Sequence, residues 1–241
     1  MLDSALVGPP LIPDRMLGNL AGRGSVDAVV LRVLLIAGAY LAGSIPFGVV
    51  VARLSGGPDP RTIGSGRTGG TNALRALGRK WATVVVAGDV LKGAVPVLVA
   101  RFVTNDDSAI EVMCAAAAVI GSSRSVFLRF HGGRGVGTGV GTTLVIEPIA
   151  VLIAAPVFVG VILLTRYVSL GSLLGSAAFF PAMIIIWAVA SGTVPPAYLA
   201  WGAVAPALIW FAHADNIDRL IHGKERKFDL GLLGGRGHGS A

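Results

Sequence analysis

The 241-residue chain is 54% hydrophobic and only 14% charged, with a mean hydropathy of +0.75; ordinary soluble domains carry about 25% charged residues. That balance excludes a water-soluble globular domain and identifies an integral membrane protein. The net charge of +7 and the pI near 10.3 belong, in so apolar a chain, to loops facing anionic headgroups, so no nucleic-acid partner is expected.

Residues 1–25 carry Asp3, Asp14 and three prolines before any long apolar run. This differs from the basic leader and short apolar core of a cleaved signal peptide, and the segment reads as a flexible extension. Apolar stretches follow at residues 26–54, 81–102, 109–128, 136–165, 168–190 and 197–211. Most could cross about 30 Å of hydrocarbon. They are continuous rather than alternating, so the backbone pairs within helices and not in a β-barrel. The first span, residues 28–52, is interrupted by GSIPFG at 43–48, where a proline removes a backbone donor and a kink or close crossing is expected. Residues 53–80 then hold Arg53, Arg61, Arg67, Arg75, Arg79 and Lys80 against Asp59 alone. By the positive-inside rule this loop is cytoplasmic and the N-terminus outside.

Asn105-Asp106-Asp107 makes an acidic external turn, and Arg124, Arg129, His131 and Arg134 mark a second cytoplasmic loop. Treating residues 136–165 as one span would put Arg166 and the basic segment 219–227 outside, against the charge rule. Glu147-Pro148 removes the conflict by splitting the stretch into a short helix, Val136–Ile146, and a full one over 149–165. The expectation is therefore an all-α membrane protein with about seven transmembrane helices and a cytoplasmic C-terminus. Its short fourth helix would be about 16 Å long and would cross only within protein or a thinned bilayer. An external turn is expected at 192–196. Residues 26–228 form a single transmembrane domain without internal repeats, and residues 229–241 read as a flexible tail. Cys114 lies alone in an apolar span, and no C-x-x-C or zinc spacing occurs, so no metal or other cofactor is expected.

The candidate chemistry lies in the cytoplasmic loops. In residues 63–80, Gly64, Gly66, Gly69 and Gly70 let backbone N–H groups approach a ligand, Ser65, Thr68 and Thr71 add hydroxyls, and Arg67, Arg75 and Arg79 add charge. Guanidinium forks beside such a nest suit phosphate. The literal G-x-G-x-x-G at 64–69 lacks the βαβ context of a dinucleotide site. His131-Gly132-Gly133-Arg134-Gly135 opens the short helix and is a second anion site or a packing surface. Asp89 and Lys92 share a helix face within a span, as a functional pair or a structural bridge. His213 and Asn216, three apart where the last span reaches the cytoplasm, could orient or deprotonate a hydroxyl.

GSIPFG at 43–48, IGSG at 63–66, GTNALR at 70–75, GDVLKG at 88–93, GGRGV at 132–136, TRYVSL at 165–170 and HADNI at 213–217 together resemble the bacterial acyl-phosphate:glycerol-3-phosphate acyltransferase family, in the same order and over residues 41–227. The resemblance implies a seven-helix inner-membrane enzyme with a cytoplasmic active site. Its reaction would carry a fatty acyl group from acyl phosphate to the 1-hydroxyl of glycerol 3-phosphate, giving lysophosphatidic acid and phosphate. It implies catalytic roles for Ser65, His213 and Asn216 and a phosphate clamp at Arg75; the chemistry of the two loops adds Arg67, Thr71, Asn72, Gly132, Gly133 and Arg134 as expected substrate or phosphate binders. Arg134 stands where the family commonly has lysine, Arg67 where it has asparagine and Ser122 where it has histidine. Two other readings use the same loops: a phosphate-ester or anion transporter, and a diverged member with altered substrate or lost activity. The oligomeric state stays open, a monomer being sufficient; membrane lipids are the expected surroundings.

Overall fold

The computed structural model describes the backbone of residues 14–190 and 194–233, and every regular element among them is helical. Residues 1–13, the first two residues of the expected external turn and most of the C-terminal tail lie outside the described residues. The chain divides into residues 1–34 and residues 35–241. The first unit is the beginning of α1 (Asp14–Ser44), which starts within the segment expected to be flexible. The second unit is the helical bundle that carries the site.

Ile45-Pro46 ends α1, and the chain restarts as the short α2 (Phe47–Ser55). The break frees carbonyls inside the protein, and Lys92 donates to the Ile45 carbonyl at 3.1 Å while pairing with Asp89 at 2.7 Å. The intramembrane pair thus closes the break made by the proline. Glycine at 48 is required because a Cβ there would strike the Thr68 carbonyl; α2 backs directly onto the glycine-rich loop.

Helix α3 (Gly70–Thr104) departs from helical geometry at Gly78, with φ 77° and ψ 177°. The first two turns, residues 70–77, are thereby separated from the spanning part. Helix α4 (Ser108–Ser123) starts on Asp107, whose carboxylate accepts from the Ala109 and Ile110 amides. Next come α5 (Val136–Ile146) and α6 (Pro148–Thr165), parted at Glu147-Pro148 where the sequence placed the break. Then α7 (Val168–Val189), α8 (Pro196–Ala212) and the polar α9 (Ala214–Ile221) complete the bundle, α9 bending away from α8 by 66°.

Five described helices are long and apolar enough to cross a membrane, and the α8–α9 pair makes a sixth if counted as one broken span. Helix α5 is apolar but has only 11 residues. It is held within protein: Gly93 of α3 lies against the Thr138 backbone, and Gly141 of α5 lies against the Val90 carbonyl. Side-chain-free contacts of this kind let helix backbones approach closely where lipid supplies no hydrophobic drive. The core centres on Trp201, Met183, Phe179, Val97, Val119 and Ile209, with the Trp201 indole donating to Thr143 Oγ1 at 3.3 Å. By contrast only Ala150 of α6 is fully buried, and Leu152 and Leu164 are exposed, as on a helix with one face to lipid.

Candidate active site

At one end of the bundle the polar loops converge. The glycine-rich loop is fixed by one side chain: Asn72 Nδ2 donates to the carbonyls of Pro60, Ile63 and Arg67, and its Oδ1 accepts from the Ser65 amide at 3.2 Å. A single carboxamide therefore holds both ends of residues 60–67. Gly64 and Gly66 take positive φ, 56° and 69°, and a Cβ on Gly64 would strike Asn72 Oδ1. The loop presents the Ser65 hydroxyl, which has no protein partner among the described residues, toward a cavity of about 520 Å³.

Three helices begin at this cavity. Gly70 and Thr71 of α3, Val136 and Gly137 of α5, and Val168 and Ser169 of α7 all line it. None of the three has a side-chain cap. First-turn N–H groups without intrahelical partners, with the positive ends of three helix dipoles, make a field suited to anions. Arg75, half-buried, lines the same space with no hydrogen bond or ion pair among the described residues.

Arg134 is differently placed. Its guanidinium grips Asp215 at 2.7 and 2.9 Å and donates to the Ala212 carbonyl at 2.6 Å. Asp215 also takes Arg219 at 3.1 Å, and Arg67 at 3.9 Å. The hydrogen bond from Arg134 holds the Asp215 carboxyl far below the usual carboxylate range. Burial, then the neighbouring charge of Arg134, pushes Arg67 below its ordinary value.

His213 lies at the α8–α9 bend, 2% exposed. Nδ1 lies 2.8 Å from the Ile209 carbonyl, which assigns the ring proton to Nδ1 and leaves Nε2 as an acceptor. Burial pushes its pKa down to about 4, so the ring is neutral near pH 7. Asn216 donates to Glu225 at 2.7 Å, while its buried Oδ1 has no partner among the described residues. Glu225 in turn accepts from Ser169 at 3.0 Å and Arg219 at 2.8 Å. Phe228 is buried against Val51, Leu74 and Val85 and donates its amide to Arg166, pinning the segment that carries Glu225.

Of the residues singled out in the sequence, Ser65, Arg67, Thr71, Asn72, Arg75, Gly133, Arg134, His213 and Asn216 line this one cavity. Gly132 does not. Its amide donates to the Ser123 carbonyl, its own carbonyl accepts from Arg67, and a Cβ would meet the Ser122 carbonyl. The Gly133 amide is likewise used on Ser122 at 2.9 Å. These glycines join the second loop to α4, and the anion-facing N–H groups come instead from the first turn of α5. Asn72 faces the cavity but its amide is committed to the loop. Sequence reasoning missed Glu225, the single acid in the basic run 224–227, and the pairing role of Asp215; both are charges opposite in sign to their neighbours.

Away from the loops, the cavity continues between α5, α6, α7 and α8, where Val140, Val151, Ala154, Phe158, Phe179 and Ala205 line it. An anion-binding end thus opens into an apolar arm. Residues 33–223 match the family model described as glycerol-3-phosphate acyltransferase. The chain belongs to the glycerol-3-phosphate acyltransferase family. The acyltransferase is 42% identical to the glycerol-3-phosphate acyltransferase of Syntrophotalea carbinolica over 195 residues, 81% of this chain and 96% of that one. It is 46% identical to a glycerol-3-phosphate acyltransferase of Thermus thermophilus over 193 residues, 78% and 91% of the two chains. Its fold is similar to crystal structures of PlsY (YgiH), an integral membrane glycerol 3-phosphate acyltransferase. The glycerol 3-phosphate form superposes with a TM-score of 0.75 at 36% identity, covering 85% of this chain and 99% of that one. The lysophosphatidic acid form gives 0.73 at 37%, covering 84% and 98%. This chain is accordingly a multi-pass membrane acyltransferase.

Proposed function

We propose that the enzyme transfers a fatty acyl group from acyl phosphate to the 1-hydroxyl of glycerol 3-phosphate, releasing lysophosphatidic acid and phosphate. One observation carries this reading: a single cavity joins three uncapped helix N-termini and the unpaired Arg75 to an apolar arm among four helices. A substrate pair that is anionic at one end and aliphatic at the other fills both parts.

In this reading Arg75 clamps a phosphate, with Thr71 and the first turns of α3 and α5 adding donors. Ser65 Oγ is free to hydrogen-bond a substrate. Asn216 Oδ1, buried without a partner, accepts from a glycerol hydroxyl, and neutral His213 Nε2 accepts from another. The attacking hydroxyl oxygen forms a bond to the acyl carbonyl carbon, the bond from that carbon to the phosphate oxygen breaks, and phosphate departs. With a pKa near 4, His213 is a weak base; the proton goes to the departing phosphate, and the histidine orients the nucleophile. Acyl phosphate is already activated, so positioning and charge stabilisation suffice. Asn72, Gly132 and Gly133 hold the two loops in place. The second cluster, Arg134 with Asp215 and Arg67, completes the positive wall.

The loops at the site end carry Arg53, Arg61, Arg79, Lys80, Arg129, Arg166 and Lys227, whereas the opposite end carries Asp106, Asp107 and Glu147. This asymmetry supports a cytoplasmic site in an inner membrane. Every group of the site comes from one chain, so a monomer suffices. Purified enzyme in phospholipid vesicles, given palmitoyl phosphate and glycerol 3-phosphate, should release phosphate and lysophosphatidic acid in equal amounts. Product formation from acyl-CoA and none from acyl phosphate would refute the donor assignment.

A further inference from the structure

A second cavity, of about 220 Å³, lies beside the first, and Arg67, Ser123, Arg124, Gly133, Phe211 and Asp215 are among its lining residues. Only Arg67 and Gly133 belong to both spaces. Four guanidinium groups gather here, those of Arg67, Arg124, Arg134 and Arg219, against the carboxylates of Asp215 and Glu225. Arg134 and Arg219 occupy the oxygens of Asp215 at 2.7 to 3.1 Å, and Arg219 takes Glu225 at 2.8 Å. The uncompensated charge therefore rests on the other two. Arg67 reaches Asp215 only at 3.9 Å, and the exposed Arg124 side chain has no partner among the described residues. Those two are the cations that line the small cavity. The backbone under Arg124 is fixed, its amide donating to Ile120 at 2.7 Å and its carbonyl accepting from Tyr40 at 2.8 Å. At the rim Phe211 is 82% exposed, placing an apolar ring beside the charge.

We propose that Arg67 and Arg124 form a second anion site, outside the reaction cavity, that takes a phosphate group, either on a lipid headgroup or as orthophosphate. Arg67, held only by a 3.4 Å contact to the Gly132 carbonyl and the 3.9 Å approach to Asp215, and Arg124 over a space of this size match one phosphate in a forked, charge-assisted contact. Because Arg67 lines both cavities, an anion bound here lowers the positive potential that the reaction cavity feels. Arg124 does not line the reaction cavity, so the site can be altered without touching the groups assigned to acyl transfer.

The test is binding of radiolabelled orthophosphate to the full chain in detergent, with Arg75→Ala in place to weaken phosphate binding in the reaction cavity. The chain should then keep one orthophosphate. Arg124→Gln should weaken that binding by about tenfold, the loss of one charge-assisted contact, and Arg124→Lys should restore most of it. In phosphate-free buffer Arg124→Gln should keep kcat, showing that the variant is folded. Phosphatidic acid vesicles that displace the retained orthophosphate, where phosphatidylcholine vesicles do not, identify a lipid headgroup as occupant; failure to displace identifies orthophosphate itself. Arg75→Ala enzyme that retains no orthophosphate and binds no phosphatidic acid overturns the proposal. So does Arg124→Gln that leaves the binding unchanged.

Discussion

His213 shows how much one environment decides. Its folded pKa, about 4, lies below the ordinary histidine value of about 6.5. Protonation therefore favours the unfolded chain. This residue's contribution to stability is full above about pH 6.5 and declines as pH falls toward 4. The catalytic consequence is a kcat profile with no histidine limb between pH 6 and 7, measured as phosphate release across that range. His213→Gln, which keeps a neutral acceptor, should retain far more activity than His213→Ala. Equal loss in the two would show that the imidazole works as a base after all. Asn72 is a second residue whose role is set by what it holds. Asn72→Ala removes four contacts to residues 60–67; the Pro60 and Ile63 carbonyls keep the Ile63 and Gly66 amides, and the Arg67 carbonyl is left without a donor among the described residues. A cost of about 2 to 4 kcal/mol follows, at about 1 kcal/mol per bond, read as a lowered Tm together with a fall in kcat. That role was hidden in the sequence, because an asparagine in a glycine-rich loop looks the same whether it grips ligand or backbone.

At the scale of elements, the contact between α3 and α5 has no slack. A Cβ on Gly141 would collide with the Val90 carbonyl, and one on Gly93 with the Thr138 carbonyl. Gly141→Ala should destabilise the bundle by about 1 to 3 kcal/mol, the usual cost of overpacking, and a thermal melt in detergent measures it. The loss should extend to activity, because α5 carries its first turn into the cavity. This short helix was legible from Glu147-Pro148, since an acid followed by proline both caps and starts a helix. The Pro46 break was legible because a proline removes a backbone donor. The kink at Gly78 was not, because residues 53–80 read as a loop, whereas α3 already begins at Gly70. Nor was the pairing of Arg134 with Asp215, 81 residues apart, which exists only once α5 and α9 are brought together.

For the whole molecule, chemistry and anchoring lie at opposite ends. Far from the cavity, Arg101 of α3 pairs with Glu111 of α4 at 2.7 Å, and Tyr198 of α8 donates to the same carboxylate at 2.8 Å. Glu111 is fully buried. Glu111→Ala leaves Arg101 with Asp106 at 3.7 Å and the Tyr198 hydroxyl at 3.0 Å and should cost about 1 to 3 kcal/mol, seen as a lower Tm, while the KM for glycerol 3-phosphate stays unchanged. The apolar runs and basic loops made this two-ended layout readable, since span length and loop charge are properties of stretches. The site itself was readable to the extent that its residues cluster in short motifs; Glu225 and the closed ring of charges around Asp215 emerge only from folding. The central claim is that the half-buried guanidinium of Arg75 at the head of the cavity anchors a phosphate for acyl transfer. Arg75→Ala, assayed in phospholipid vesicles with palmitoyl phosphate and glycerol 3-phosphate, tests it most directly. Formation of lysophosphatidic acid should be nearly abolished in correctly folded protein, with Arg75→Lys recovering part of it; wild-type activity in Arg75→Ala would contradict the account.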